Sequence, residues 1–260
     1  DVAKQDNIVL VGCYARHEQP ILNHKIRQAW LKGAQVNAFG PCHFEQNFEL
    51  NLDITGHQID WVKKLGSLAV SLSEISGQKP DGALGDWIKQ QAADEDINSL
   101  AKTLLKKDKL TLFTVVQIAA RHPQANLIQA LVEWMAQLVN GSVNQVIDGA
   151  NAMGAALNGL HHDSDIKQND HAVNLIYQAE IQDFAEPATI KECMVNSEMT
   201  VVFNAFCDEA LKSRADLILP TALLPESSGS LVNNFGSRQT ALVAHKAPGD
   251  TKPGWRVLRV

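Results

Sequence analysis

The chain alternates short apolar runs with longer segments whose apolar residues recur every three to four positions. Residues 8–12, Ile-Val-Leu-Val-Gly, form the first run. Apolar throughout and closed by glycine, it predicts a strand buried on both faces of a parallel sheet. Pro20 then opens a helix where a missing N–H does no harm. Leu22, Ile26, Ala29 and Trp30 make its apolar face, and Gly33 is placed to cap it. Residues 35–39 read as the second strand, completing a β-α-β unit whose crossover should be right-handed.

The same rhythm continues. Residues 57–76 predict a helix with Val62, Leu65, Leu68, Ala69, Leu72 and Ile75 on one face. A Gly/Pro turn is expected over 77–85, then a helix over 86–107 burying Ile97, Leu100, Leu104 and Leu105. Residues 110–116 predict a third strand, Pro123 opens a helix carrying Leu127, Ile128, Leu131, Val132, Met135 and Leu138, and 143–147 predict a fourth strand. Such alternation argues for a doubly wound α/β domain. The polar stretch 156–171 reads as a connector. A second α/β pattern follows: strand 172–179, helix 185–197 with Pro187 near its start, strand 200–203, helix 208–213 and strand 217–219. The expected domains are 1–155 and 156–260, with no internal repeat and no low-complexity tract.

Composition narrows the function classes. With 260 residues, 45% hydrophobic and 20% charged, the chain is of ordinary globular make-up. A net charge of −6 without a Lys/Arg-rich block gives no electrostatic case for nucleic acid. No apolar run approaches the ~18–20 residues that span a bilayer, so direct membrane insertion is not expected. The polar start lacks both Met and a signal peptide, and the chain ends inside a Val-Leu-Arg-Val run; both ends read as those of an excised piece.

Candidate chemistry is sparse. The 4 cysteines, Cys13, Cys42, Cys193 and Cys207, form no C-x-x-C pair and read as free thiols rather than cluster ligands. The 9 histidines are scattered. In the one cluster, His161-His162-Asp163, adjacent side chains diverge, so no metal site is assigned. Ser227 and Ser228 lack a G-x-S-x-G elbow, and the turn after Gly12 lacks G-x-G-x-x-G. Cys13, between a strand and a helix, is where a lowered thiol pKa would be sought. No catalytic residue is assigned.

Three longer stretches say more. Residues 215–239 read ADLILPTALLPESSGSLVNNFGSRQ. The run resembles the signature "ADVVLP…E..GT..N.EGR.Q" of the molybdopterin oxidoreductase family. Between Gly12 and Ala34, the residues Arg16, Glu18, Pro20, Leu22-Asn23, Ile26-Arg27, Ala29-Trp30-Leu31 and Gly33-Ala34 fit a narrower pattern, "GTNPR.EAP.LN.RIRKAWL.GA". That pattern is similar to one branch of the family, the large subunits of respiratory complex I (NADH:quinone oxidoreductase). Residues 149–155, Gly-Ala-Asn-Ala-Met-Gly-Ala, resemble the family's "AN..GALD.G". The three landmarks stand in the right order and cover nearly the whole chain.

The resemblance implies two Rossmann-like doubly wound domains of the formate dehydrogenase/DMSO reductase type, domain 3-like first and domain 2-like second. It places the family's cofactor contacts at Gly12, Cys13, Tyr14, Asn151, Asn233, Asn234, Arg238 and Gln239. Several ligand positions depart from the pattern. Cys13 and Tyr14 stand where cofactor-bearing members have Ser-Asn. Phe39-Gly40-Pro41-Cys42 lacks the carboxylate of "D-P-R". Val116-Gln117-Ile118-Ala119 lacks a glycine, and Gln178-Ala179-Glu180-Ile181 replaces "G-E-N-P". A phosphate cannot approach as closely where Cβ atoms replace glycine.

The expectation is therefore a scaffold that has lost its molybdopterin and holds no metal. It would support electron transfer from NADH to quinone without chemistry of its own. Iron–sulfur clusters would belong to an N-terminal region outside this sequence. Partners would be the rest of the same subunit and other peripheral-arm subunits, at the cytoplasmic side of the inner membrane. Two alternatives stay open: a fragment of a bis-molybdopterin-guanine-dinucleotide-dependent oxidoreductase, and a stand-alone guanine-nucleotide module. The 229–239 loop reads as structure ahead of a remnant of the nucleotide contacts, since Gly229 and Gly236 suit positive φ and Asn233 and Asn234 can bond their own backbone.

Overall fold

A computed structural model describes residues 1–57, 59–147, 149–160, 172–184 and 186–259. The chain divides into two compact units, Asp1–Asp148 and Gly149–Val260. The His161-His162-Asp163 cluster and most of the expected connector lie outside the described residues.

In the first unit the elements run β1 (Asn7–Val11), α1 (Ala15–Glu18), α2 (Pro20–Leu31), β2 (Gln35–Gly40), β3 (Leu52–Thr55), α3 (Asp60–Ser76), α4 (Gly82–Ile88), α5 (Glu95–Leu104), β4 (Thr111–Val115), α6 (Gln117–Ala120), α7 (Ala125–Leu138) and β5 (Ser142–Gln145). The strands form one parallel sheet in the order β3-β2-β1-β4-β5. The chain winds outward from β1 through β2 to β3, then crosses back to β4 on the other side. That reversal makes the fold doubly wound and leaves a crevice at the C-terminal ends of β1 and β4.

Alternation along the strands sorts the core. Val9, Val11, Phe39, Phe113 and Val115 face a large cluster with Trp61, Leu65, Leu68, Leu72, Ile97, Leu104, Ile128, Leu131 and Met135 from α3, α5 and α7. Ile8, Leu10 and Val36 face the other way, onto Ile26 and Ala29 of α2 and onto Phe48. All of β1 is buried, as its unbroken apolar run predicts.

The structure departs from the periodicity in three places. β3 is a short edge strand in a stretch, 40–56, to which the periodicity assigns no element. The expected helix over 86–107 is two helices, because Asp94 caps α5 by accepting the Asp96 N–H at 3.1 Å and pairs with Lys64. The glycine-rich turn before it already contains the start of α4, where Gly82 at φ +66° lets the chain turn in.

In the second unit, α8 (Ala152–Leu157) precedes β6 (Val173–Tyr177), α9 (Pro187–Asn196), β7 (Met199–Asn204), α10 (Glu209–Lys212) and β8 (Leu217–Pro220). The sheet is parallel, in the order β6-β7-β8. The helix α8 runs across position 155/156, where the sequence pattern places the domain division. One face of the sheet packs Ile176 and Val202 against Met194 of α9, Leu211 of α10 and Ile181. The other face buries Val201 and Phe203 at its centre but leaves Val173, Leu175, Tyr177, Met199 and Leu217 exposed around them, Leu175 at 62%. A hairpin, β9 (Gly229–Val232) with β10 (Arg238–Ala241), and the short helix α11 (Gly254–Leu258) complete the unit.

Candidate functional site

The crevice of the first unit begins at Gly12. Its φ is +56°, and a Cβ there would lie 2.6 Å from the Ala119 backbone nitrogen and 2.9 Å from the Ala119 Cβ. Glycine is required because α6 packs its backbone onto the turn. The space freed by the missing side chain is filled by the protein itself.

Beyond Gly12 the geometry of an anion site does not develop. The helix α1 is a single turn. The longer α2 starts with Pro20, which has no N–H to offer. The Tyr14 N–H donates, at 3.4 Å, to Oε2 of Glu18. Cys13 is 4% exposed. Burial pushes its thiol up to about 12, the Glu18 carboxylate pushes the same way, and the Ala15 N–H only partly offsets them. The position at a strand end before a helix suggests a lowered thiol pKa; the shift runs in the opposite direction, because burial outweighs the short helix.

The segment 41–51 lies over this turn. Phe44 stacks on Tyr14, ring centroids 4.5 Å apart and planes 19° from parallel. His17 lies against the same tyrosine ring at 4.6 Å. Arg16 and Glu45 pair at 2.8 Å, which holds the Glu45 carboxyl below its ordinary range. Further along, Asn23 donates to Asn47 Oδ1 at 3.1 Å, Arg27 donates to the Asn47 carbonyl at 3.2 Å, and Phe48 is buried under α2. Asn51 closes the segment by donating to Val36 O and to Asn37 Oδ1.

Next to the turn, on the α3 side of the sheet, lies a cleft of about 380 Å³ lined by Pro41, His57, Trp61, Ile118, Arg121, His122 and Pro123. His122 is 8% exposed, its ring edge-on to Trp61 at 5.3 Å. Its Nδ1 accepts the Gln124 N–H at 3.0 Å, so Nε2 carries the proton of the neutral ring. Sequence reasoning missed this set. The available signal was position: His57 follows closely on the end of β3, which was too short to register, and His122 follows the short helix α6.

The remaining candidate residues belong to the second unit, where hydrogen bonds account for two of them. Asn151 Oδ1 accepts the Val232 N–H at 2.7 Å, tying α8 to the hairpin. A Cβ at Gly154 would come within 2.2 Å of that oxygen, so the glycine clears room for the bond. Asn233 Oδ1 accepts the N–H groups of Phe235 and Ser237, both at 3.0 Å, and Gly236 supplies the turn's positive φ of +76°. Gly229 does not adopt a positive φ and simply starts β9. Asn234, Arg238 and Gln239 are exposed.

At the C-terminal ends of β6 and β7 lies a cleft lined by Gln178, Glu180, Asp183, Asn204, Ala205, Phe206, Leu223 and Leu224. Gln178 holds φ +46° without being glycine; its N–H bonds Phe203 O at 2.7 Å and its Nε2 bonds Ala222 O at 3.1 Å. Glu180 and Asp183 cap each other across one turn. A phosphate would meet two carboxylates there. Neither crevice as folded fits a pterin nucleotide's phosphates.

Comparison with known proteins agrees with the pattern of residues. The molybdopterin oxidoreductase family matches the chain over residues 1–260. The mitochondrial NADH-ubiquinone oxidoreductase 78 kDa subunit of Candida albicans is 26% identical over 258 residues, covering 98% of this chain and 30% of that protein. The NADH-ubiquinone oxidoreductase 75 kDa subunit of Reclinomonas americana is 24% identical over 262 residues, covering 99% of this chain and 33% of that protein. The chain thus spans about a third of the length of the curated relatives it matches. The likeness to complex I large subunits that the 12–34 stretch implied is borne out.

Proposed function

The chain belongs to the molybdopterin oxidoreductase family, and on that premise we propose that it is a scaffold region of the large peripheral-arm subunit of NADH:quinone oxidoreductase. In this reading it carries no molybdopterin and no metal, and it performs no chemistry of its own. It supports electron transfer from NADH to quinone by holding its place beside the iron–sulfur part of the same subunit. Its partners are that part and the neighbouring peripheral-arm subunits, on the cytoplasmic side of the inner membrane. No helix among the described residues is long and apolar enough to cross a membrane, which fits a peripheral position.

The observation that carries the reading is the pairing of a whole-chain family match with a filled crevice. Two relatives named as NADH-ubiquinone oxidoreductase subunits align along nearly all of the chain. At the one turn where the family's cofactor would meet β1, Ala119 abuts Gly12 and Tyr14 stacks on Phe44. The stretches 12–34, 149–155 and 215–239 keep the family's pattern, while Cys13 and Tyr14 stand where cofactor-bearing members have Ser-Asn.

The test is affinity purification of the tagged gene product from mildly solubilised membranes. Co-purification of iron–sulfur subunits together with NADH:ferricyanide reductase activity is expected. A product that purifies alone and oxidises a small substrate with its own molybdenum or tungsten would replace this reading with the bis-pterin enzyme.

A further inference from the structure

We propose that the free edge of β6 is a strand-addition site: a parallel strand from the part of the same subunit outside residues 1–260 pairs there and completes the second sheet. The inference rests on the reading above, which makes the chain one region of a larger subunit.

β1 and β6 are alike in sequence and opposite in setting. Each is a five-residue apolar run with a single asparagine, Asn-Ile-Val-Leu-Val and Val-Asn-Leu-Ile-Tyr. From each, the chain winds outward through the next strands of its sheet. Beyond β1 the winding reverses, and β4 pairs on its other side. Among the described residues nothing pairs on the other side of β6. The middle residue of β1, Val9, is fully buried, whereas the middle residue of β6, Leu175, is 62% exposed. So apolar a parallel strand suits the interior of a sheet, and in a doubly wound fold the first strand has neighbours on both sides.

The ladder identifies the groups left over. The Met199 N–H donates to Ala172 O at 3.0 Å, and the Gln178 N–H donates to Phe203 O at 2.7 Å. The even-numbered positions of this stretch therefore face β7. Alternation turns the N–H and C=O groups of Val173, Leu175 and Tyr177 toward the free edge. Main-chain groups of that kind take an added strand.

The other sheet edges are guarded, as edges ordinarily are, by polar residues, brevity or proline. β3 carries Asp53, paired with His43, and β5 reads Ser-Val-Asn-Gln. β8 ends at Pro220, and a bridge between Thr221 and Lys252 follows it. β6 has neither proline nor charge, and its asparagine donates inward to Cys193 O at 2.9 Å. The occupant that fits is an extended segment running parallel to β6, with apolar side chains beside Val173, Leu175 and Tyr177. A second copy fits poorly, because a two-fold axis would pair β6 with itself antiparallel. The chain spans about a third of the curated relatives' length, which leaves ample polypeptide to supply the strand. Residues 1–260 by themselves leave the edge open and Leu175 exposed; the added strand closes it.

The experiment is site-resolved hydrogen exchange on the full gene product in its purified complex. The amides of Val173, Leu175 and Tyr177 should exchange at least about a hundredfold more slowly than in a free peptide. Weaker protection at these three overturns the proposal, because the edge is then unpaired. Photo-crosslinking from Leu175→p-benzoylphenylalanine identifies the source. A link to the same polypeptide outside residues 1–260 is expected. A link to a second copy, to another subunit or only within residues 1–260 overturns the proposal, and so does no link at all. Val173→p-benzoylphenylalanine is held to the same criterion where the first variant does not accumulate. Either failure leaves the complex I reading untouched, because that is judged by co-purifying subunits.

Discussion

The two units face the same physical problem, a parallel sheet with two apolar faces, and meet it to different degrees. In the first, helices or well-packed loops cover both faces, and Trp61, Phe39 and Phe113 are fully buried. In the second, one face packs against α9 and α10 while Val173, Leu175, Tyr177, Met199 and Leu217 of the other stay exposed. Their crevices differ in the same sense. The first is filled by Tyr14, Phe44 and the approach of Ala119 to Gly12, whereas the second is open and bears Glu180 and Asp183. The difference teaches that two parallel sheets of one chain can end in crevices of opposite character: packing closes one from within, and the other stays open and carries acidic side chains.

The largest expected effect breaks the comparison at its core. Trp61→Ala should cost about 3–5 kcal/mol, since it empties a fully buried site in the larger cluster. Leu175→Ala, at an exposed position of the second sheet, should stay within about 0.5 kcal/mol. Urea titration of both variants measures the contrast, and equal costs would mean that Leu175 is covered in solution.

Gly12→Ala should cost about 2–4 kcal/mol, from left-handed strain together with collision against Ala119. Gly236→Ala, equally left-handed but with open space around it, should cost only about 1 kcal/mol. A smaller loss at Gly12 than at Gly236 would remove the argument that α6 seals the turn.

In the second unit, Asn151→Ala and Gly154→Ala should each cost about 1–2 kcal/mol by releasing the Val232 N–H. Hydrogen exchange at that amide should accelerate in both variants. Unchanged protection would show that the hairpin is held by something else.

The smallest effect concerns thiols. Cys42 is exposed and Cys13 buried, so Ellman's reagent should label Cys42 in the native protein and leave Cys13 silent until unfolding. The folded thiol of Cys13 is raised from 9.0 to about 12. Its contribution to stability is therefore complete below pH 9.0 and fades as pH climbs toward about 12. Replacement by Ala should flatten that alkaline decline, read as melting temperature against pH.

How much of this was legible in the sequence depends on length and period. The strand at Asn7–Val11 and the helices at Asp60–Ser76 and Ala125–Leu138 announced themselves. An unbroken apolar run closed by glycine suits a buried strand, and sustained three-to-four spacing suits an amphipathic helix. The edge strand Leu52–Thr55 did not stand out, being short and only half-buried. The break between α4 and α5 hid behind a continuous helical period, because the Asp94 cap depends on a local hydrogen bond rather than on pattern.

The candidate site was legible by residue type and not by contact. Tyr14 stood out as bulky where a small amide was expected. Its stacking on Phe44 joins residues far apart in the chain, and no spacing rule reveals such a pair. The tie between Asn151 and Val232 is of the same kind: it links two landmarks that the sequence shows only as separate motifs.

The most direct test is the molybdenum, tungsten and pterin content of the full gene product, purified from cells grown with both metals in supply. Iron in abundance, with pterin and both metals far below one per chain, is the expected result. Stoichiometric pterin together with molybdenum or tungsten would contradict the account, and the turn at Gly12 would then be a cofactor site.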